Sequence, residues 1–169
     1  MSTSEVDQFI HAWELEAKNT SKLLRSLPVS KYDFRPDAAG RSLGELAWHL
    51  AEIDAYMSHG VTAGKLEMGA RPPNVERPRT IEALAPGFER VHSEALDRVR
   101  AVKPADLDRT IPFFDGSSME IRSILWGVLL HHHIHHRGQL VLMARLAGGV
   151  PPGMYGPTRE DMAGFKAKG

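Results

Sequence analysis

The chain has 169 residues, of which 42% are hydrophobic and 25% are charged, values that are ordinary for a single globular domain. Its 21 acidic and 21 basic residues balance, which argues against a nucleic acid or an anionic membrane as the main partner, because either would favour a basic excess. The chain contains no cysteine, so a disulfide framework is excluded and any metal site must use nitrogen and oxygen ligands.

The first predicted helix covers about residues 4–27. Ser4 with Asp7 three residues later is a weak capping box, and Pro28 ends the helix. Its apolar residues recur at helical spacing, which predicts a core face rather than a cofactor site. These residues are Val6, Phe9, Ile10, Trp13, Ala17, Leu23, Leu24 and Leu27.

The second predicted helix covers about residues 42–63 and begins at the capping box formed by Ser42 and Glu45. His49 lies on the apolar stripe of this helix and therefore points inward. A core histidine with satisfied hydrogen bonds is the simplest interpretation of His49 alone. A metal ligand is the alternative, and Glu45 or Glu52 can then orient its ring, as carboxylates often do for ligating histidines.

The third predicted helix covers about residues 80–102, with Thr80 as its cap. Pro86 lies inside the apolar stripe and predicts a kink or a restart of the helix. His92 borders the stripe, so we interpret it as a partly exposed residue and keep it as a reserve metal ligand. The segment 108–116 reads as a short extended stretch without an identifiable partner strand.

The fourth predicted helix covers about residues 117–147 and opens with a third capping-box pattern at Ser117. It carries five of the nine histidines of the chain within six positions. Two pairs are one helical turn apart, and imidazoles at that spacing can share a metal ion that takes its other ligands elsewhere. The pairs are His131 with His135 and His132 with His136.

Either histidine pair can face the core. The stripe through His132 and His136 carries bulkier apolar residues than the stripe through His131 and His135, which favours the first pair by a modest margin. Two core histidines with satisfied hydrogen bonds remain the simpler interpretation of an isolated pair, because a metal site needs a third ligand.

Four amphipathic helices with little strand signal predict an all-α four-helix bundle that forms one domain over residues 1–169. The connections between the helices are long for a bundle, and we expect them to close one end of it as the wall of a pocket. The first residues lack the regions of a signal peptide, and the histidines interrupt the best apolar stretch, so we expect a cytoplasmic protein without a membrane span.

Three segments, in matching order and spacing, carry a resemblance that covers nearly the whole chain. They are RSLGELAWHL at 41–50, HHIHHRGQ at 132–139 and GGVPPGMYGP at 148–157. The chain resembles the DinB/YfiT-like family of metal-binding four-helix bundles. This resemblance implies an up-down-down-up arrangement of the helices, with one metal-ligating histidine on the second helix and two on the fourth.

The resemblance also decides between the two histidine pairs. The positions that match the family ligands are His49, His132 and His136. The family pattern assigns no role to His131, His133 and His135. It further implies a divalent metal cofactor, with nickel or zinc as the usual ions and manganese, iron or cobalt as further options, and frequent homodimers. Some relatives transfer a small thiol onto an electrophile, so these two small molecules are the expected partners.

Three neutral imidazoles leave at least one coordination position open, which is typical of a catalytic site more than of a structural one. An ion held in this way acidifies a bound thiol or water. Three hypotheses follow: a metal-dependent thiol transferase in detoxification or stress, a metal-dependent hydrolase, and a non-enzymatic stress-related metal-binding protein. Weak catalytic candidates are Glu45, Glu52 and Arg137, although a salt bridge between helices is the simpler interpretation of Arg137.

Overall fold

The computed structural model of the protein describes residues 3–70 and 72–166. Its first three long helices are α1 (Glu5–Arg25), α2 (Leu43–Ala63) and α3 (Leu84–Arg100). The last long helix has three consecutive segments, the α-helical turn α4 (Ile121–Ser123), a π-helical segment (Ile124–Leu130) and α5 (His131–Leu146). Short 3₁₀ turns cover Val29–Lys31 and Pro104–Asp106, and the tail ends in α6 (Arg159–Lys166).

The directions of the helices follow from two apolar clusters, one towards each end of the bundle. The first cluster collects the end of α1, the beginnings of α2 and α3, and the end of α5. The second cluster collects the beginning of α1, the ends of α2 and α3, and the segments that precede α5. Helices α1 and α5 therefore run one way and α2 and α3 the other, which confirms the predicted all-α bundle and its up-down-down-up order.

The long connections are spread over both ends of the bundle, whereas the sequence predicts that they close one end. The loop after α1 packs Tyr32 and Phe34 against the first cluster. The connection 64–83 must run along the bundle, because it joins two parallel helices. At the opposite end, β1 (Thr110–Pro112) pairs with β2 (Ser118–Glu120) in an antiparallel hairpin.

Two predicted helix starts are wrong, and both errors have a structural reason. The capping pattern at Ser117 predicts the start of the last helix, but Ser118–Glu120 forms β2 and the helix begins at Ile121. Pairing with β1 takes precedence over the local capping signal. Helix α3 begins at Leu84, so Pro86 lies in its first turn, where its missing N–H is not needed and the helix continues without a break.

A layer of buried polar side chains separates the two apolar clusters. Its members come from all four long helices, and each is at most 7% exposed. They are Thr20, Asp54, His92, His133 and Arg137. None of the described helices combines the length and the apolar character that crossing a bilayer requires.

Candidate metal centre

Three imidazoles from two helices converge beside the polar layer. His49 comes from α2, while His132 and His136 come from successive turns of α5. One nitrogen from each ring lies within 4.8 Å of the other two, and the Nε2 atoms of His49 and His132 are 3.4 Å apart. Two nitrogens that bind one zinc ion at the usual bond length lie about 3.4 Å apart in a tetrahedral site. The spacing therefore suits a shared ion.

The helices set this convergence. Because α5 is α-helical through the histidines, residues 132 and 136 stack on one face, with ring centroids 4.4 Å apart. Helix α2 packs beside α5 and brings the His49 ring to 4.7 Å from the His136 ring. All three side chains are half-buried. Within residues 3–70 and 72–166, no second group of three such side chains gathers its ligand atoms this closely.

Two of the rings have hydrogen-bond partners that fix their orientation. The Nδ1 atom of His136 lies 2.6 Å from the amide oxygen of Gln139, and the Nδ1 atom of His49 lies 3.4 Å from a carboxylate oxygen of Glu52. Since both partners are acceptors, each Nδ1 carries the proton and donates it. The lone pair of each ring is then on Nε2, which is the arrangement found in metal-binding histidines.

The protonation state of the cluster also suits metal binding. Burial and Coulombic repulsion from His136 and His49 lower the pKa of His132 to about 4 from the ordinary 6.5. Burial likewise lowers the pKa of His136, although the hydrogen bond to Gln139 works in the opposite direction. Both rings are therefore neutral at pH 7, and a neutral ring is the form that binds a cation.

The structure places the three catalytic candidates in different surroundings. Glu45 accepts the backbone N–H of Ser42 at 2.8 Å and pairs with Arg35, and these two contacts hold its pKa at about 2. Glu52 contacts His49 and therefore lies beside the cluster. Its side chain is 43% exposed. Their catalytic roles stay predictions.

Arg137 is enclosed by α1 and by the tail. It is 1% exposed, donates to the carbonyl oxygen of Glu16 at 2.8 Å, and contacts the Glu16 carboxylate and the Tyr155 hydroxyl. Its guanidinium joins α5 to α1, as the salt-bridge interpretation of the sequence expects. A binding role towards substrate has no geometric support at this position.

Three other histidines that the sequence singles out lie outside the cluster. His131 and His135 are exposed, and the His135 ring lies 5.0 Å from the His136 ring. His92 is 7% exposed, so the prediction of a partly exposed residue is wrong, and it stands outside the cluster of three. Its Nδ1 lies 2.7 Å from Asp54, which holds it in the polar layer.

Sequence reasoning missed the role of His133 and of its partner Asp54. His133 is completely buried, with Nδ1 3.1 Å from Asp54 Oδ1 and Nε2 2.7 Å from the hydroxyl of Thr20. A signal was available in α2, since Asp54 lies one turn from both Leu50 and Met57 on the apolar stripe. A carboxylate at a core position requires buried hydrogen-bond donors.

Comparison with known proteins gives concordant results for sequence and fold. The sequence model of the DinB superfamily matches residues 12–140. The uncharacterized protein YrdA of Bacillus subtilis (strain 168) is 31% identical over 165 residues, which cover 95% of this chain and 93% of that protein. The crystal structure of a DinB-like protein from Bacillus cereus ATCC 10987 has a TM-score of 0.74 at 25% identity, covering 92% of this chain and 100% of the other.

Two further crystal structures agree in fold. The DinB-like protein YjoA of Bacillus subtilis has a TM-score of 0.69 at 19% identity, covering 90% of this chain and 99% of that one. A putative DinB family member from Exiguobacterium sibiricum 255-15 has a TM-score of 0.63 at 22% identity, covering 87% and 95% of the two chains. At these identities the likeness concerns the fold alone.

Proposed function

This chain belongs to the DinB superfamily, and from this membership and the histidine cluster we propose that it binds one divalent metal ion through His49, His132 and His136. The observation that carries the proposal is the approach of one nitrogen from each ring to within 4.8 Å of the other two. Imidazole nitrogens suit zinc and nickel, whereas magnesium and calcium prefer oxygen ligands. We therefore expect nickel or zinc.

The residues present fit such an ion in three ways. The His132 and His136 rings are neutral at pH 7 because their pKa values are lowered. Gln139 and Glu52 accept the Nδ1 protons of His136 and His49 and so direct the Nε2 lone pairs away from these partners. The rings are half-buried, so they keep part of their surface open to solvent.

We further propose that the centre is enzymatic and transfers a small thiol onto an electrophilic substrate. A divalent ion bound by three neutral nitrogens supplies a Lewis acid that lowers the pKa of a thiol or a water molecule at neutral pH. The chain supports this role because the three proposed ligands are neutral imidazoles, so the positive charge of the site is retained. Glu52 keeps the Nδ1 proton of His49 in place during the reaction.

Metal analysis of protein purified without an affinity tag tests the binding proposal directly, because nickel resins can load such a site artificially. We expect about one equivalent of nickel or zinc per chain in the wild type and little in His49→Ala. The double variant His131→Ala/His135→Ala is the matched control, since it removes two exposed histidines of the same helix and should retain the metal. Absence of metal from the wild type, together with failure to take up added ions, would contradict the proposal.

The reaction class is tested with cobalt-substituted protein, low-molecular-weight thiols and a monochloro electrophile. Thiol transfer predicts that the thiol changes the cobalt absorption spectrum and that the electrophile is consumed only when thiol is present. Consumption without thiol would indicate a hydrolase instead. If no thiol perturbs the spectrum, the transferase hypothesis fails.

A further inference from the structure

The polar layer joins the same two helices that carry the three-histidine cluster. Asp54 lies on α2 five residues after His49, and His133 lies on α5 directly after His132. Asp54 is completely buried and accepts hydrogen bonds from Trp13 Nε1 at 3.3 Å, His92 Nδ1 at 2.7 Å and His133 Nδ1 at 3.1 Å. The contact between α2 and α5 through Asp54 is thus adjacent to the contact through the cluster.

Helix α5 is held on this side at two successive turns. His133 bonds to Asp54 and to the hydroxyl of Thr20 at 2.7 Å, and Arg137, one turn later, bonds to the carbonyl of Glu16 at 2.8 Å. The cluster residues 132 and 136 precede these two anchors by one position each. One residue corresponds to a rotation of about 100° around the helix axis. The face that is anchored therefore determines where the neighbouring face points.

We propose that Asp54 is a positioning residue of the metal centre. By accepting the Nδ1 proton of His133, it fixes the rotation and the height of α5 against α2 and so aims His132 and His136 at His49. The importance of this role for binding rests on the proposed function, whereas the setting of α5 against α2 can be tested without metal.

Apolar packing alone does not define this arrangement as sharply. Contacts between aliphatic side chains are non-directional, so a helix can turn or slide by a fraction of a residue at small cost. Hydrogen bonds to a buried carboxylate are directional, and a displaced α5 would leave the buried Nδ1 of His133 without its acceptor and Asp54 with one donor fewer. The Asp54–His133 pair therefore excludes alternative settings of α5.

A matched pair of variants separates positioning from a general loss of packing. His133→Phe and His92→Phe each replace a buried imidazole that donates to Asp54, but only His133 lies on the helix with two of the cluster residues. We expect His133→Phe and Asp54→Asn to weaken cobalt binding by about 10- to 100-fold, as is typical when an outer partner of a metal site is lost. We expect His92→Phe to lower the melting temperature and to change cobalt affinity by less than about 10-fold, the lower limit for loss of an outer partner.

A second readout needs no metal. The His49 and His136 ring centroids are 4.7 Å apart, so their ring protons should give a nuclear Overhauser effect in the metal-free wild type and in His92→Phe. The effect should be weak or absent in Asp54→Asn and His133→Phe. If Asp54→Asn does not fold, the two phenylalanine variants still decide the question.

Two outcomes would overturn the positioning role. One is wild-type ring contacts and wild-type cobalt affinity in both His133→Phe and Asp54→Asn. The other is a loss of affinity in His92→Phe as large as in His133→Phe. A wild-type protein that binds no cobalt would contradict the proposed function, but the comparison of ring contacts would still test the role of Asp54.

Discussion

Neighbouring histidines on α5 serve two regions that differ in what their nitrogens contact. Both nitrogens of His133 have protein partners, and the side chain is fully buried among all four long helices. The rings of His132 and His136 are half-buried and bring one nitrogen each towards His49. Residues of one type, a single position apart, therefore support the fold on one face of a helix and a candidate site on the next. Four predictions test this division, from the largest expected effect to the smallest.

Removal of the Asp54 carboxylate should have the largest effect, because the polar layer supports the fold. Asp54→Ala leaves the donors of Trp13, His92 and His133 without their acceptor, and we expect the free energy of unfolding to fall by about 3–5 kcal/mol. Urea denaturation of the metal-free protein measures this change. Asp97→Ala is the control, because its side chain is 73% exposed and should change the free energy by about 0.5 kcal/mol or less. Equal losses of free energy of unfolding in Asp54→Ala and Asp97→Ala would contradict the distinction between the buried polar layer and the surface.

Removal of His49 should affect binding rather than folding. We expect His49→Ala to weaken metal affinity at least about 100-fold, or roughly 2.7 kcal/mol, because one of three ligands is lost. Competition with a chromophoric chelator measures the affinity. The metal-free variant should unfold at a denaturant concentration close to that of the wild type. If His49→Ala loses the fold together with the metal, a structural role of the ion is favoured. His135→Ala is the control, because it removes an exposed histidine.

The two regions should also respond to acid at different pH values. The folded pKa of His132, about 4, lies below the ordinary 6.5, so the unfolded chain takes up this proton first. The free energy of unfolding of the metal-free protein should therefore rise as the pH increases from about 4 to 6.5 and level off above, by on the order of 2 kcal/mol after allowance for partial solvent exposure.

The pKa of Asp54 is also lowered, but its pH window lies lower. Burial raises its pKa, but the charge and hydrogen bond of His133 and the hydrogen bond of His92 outweigh burial and hold it at about 2, below the ordinary 3.8. Its stabilising contribution is present above pH 3.8 and is lost as the pH falls towards 2. Chemical denaturation over a pH series measures both windows. His132→Asn should remove the rise in the free energy of unfolding between about pH 4 and 6.5. An unchanged rise would contradict the assignment of this window to His132.

The smallest effects should come from Gln139 and Glu52, which contact the rings of His136 and His49, respectively. We expect Gln139→Ala to weaken metal affinity about 10-fold, the lower limit for loss of an outer partner, because the Nδ1 contact of 2.6 Å is removed. Glu52→Gln should weaken it less, since the contact to His49 is 3.4 Å long. Leu142→Ala, at a 61% exposed position of the same helix, should bind as the wild type does.

Local sequence signals predicted most of the helical framework. The capping boxes at Ser4 and Ser42 are present, because their hydrogen bonds involve only residues three positions apart. The third pattern, at Ser117, does not cap a helix, because the same stretch forms β2 and pairs with β1. Ile111 and Met119 pair across the hairpin that turns at Asp115. A capping pattern carries no information about a partner strand several residues earlier.

The convergence of the cluster was predictable only in part. The spacing of His132 and His136 identifies a pair on one helix face, but His49 entered through family resemblance, since no local pattern links residues 83 positions apart. The Asp54–His133 pair escaped notice because neighbouring stripes of a helix overlap. Burial now shows the order of the faces: His133 is innermost, His132 is half-buried and His131 is exposed.

The π-helical segment Ile124–Leu130 sets the rotation of α5, which follows it directly. A π-helix closes its hydrogen bonds from i to i+5 and so holds one residue more per ring than an α-helix. Winding the same seven residues as an α-helix would turn everything downstream by about one residue, roughly 100°. The histidine block would then present a different pair of rings to His49 although its sequence is unchanged, so the winding of an apolar stretch selects which imidazoles meet.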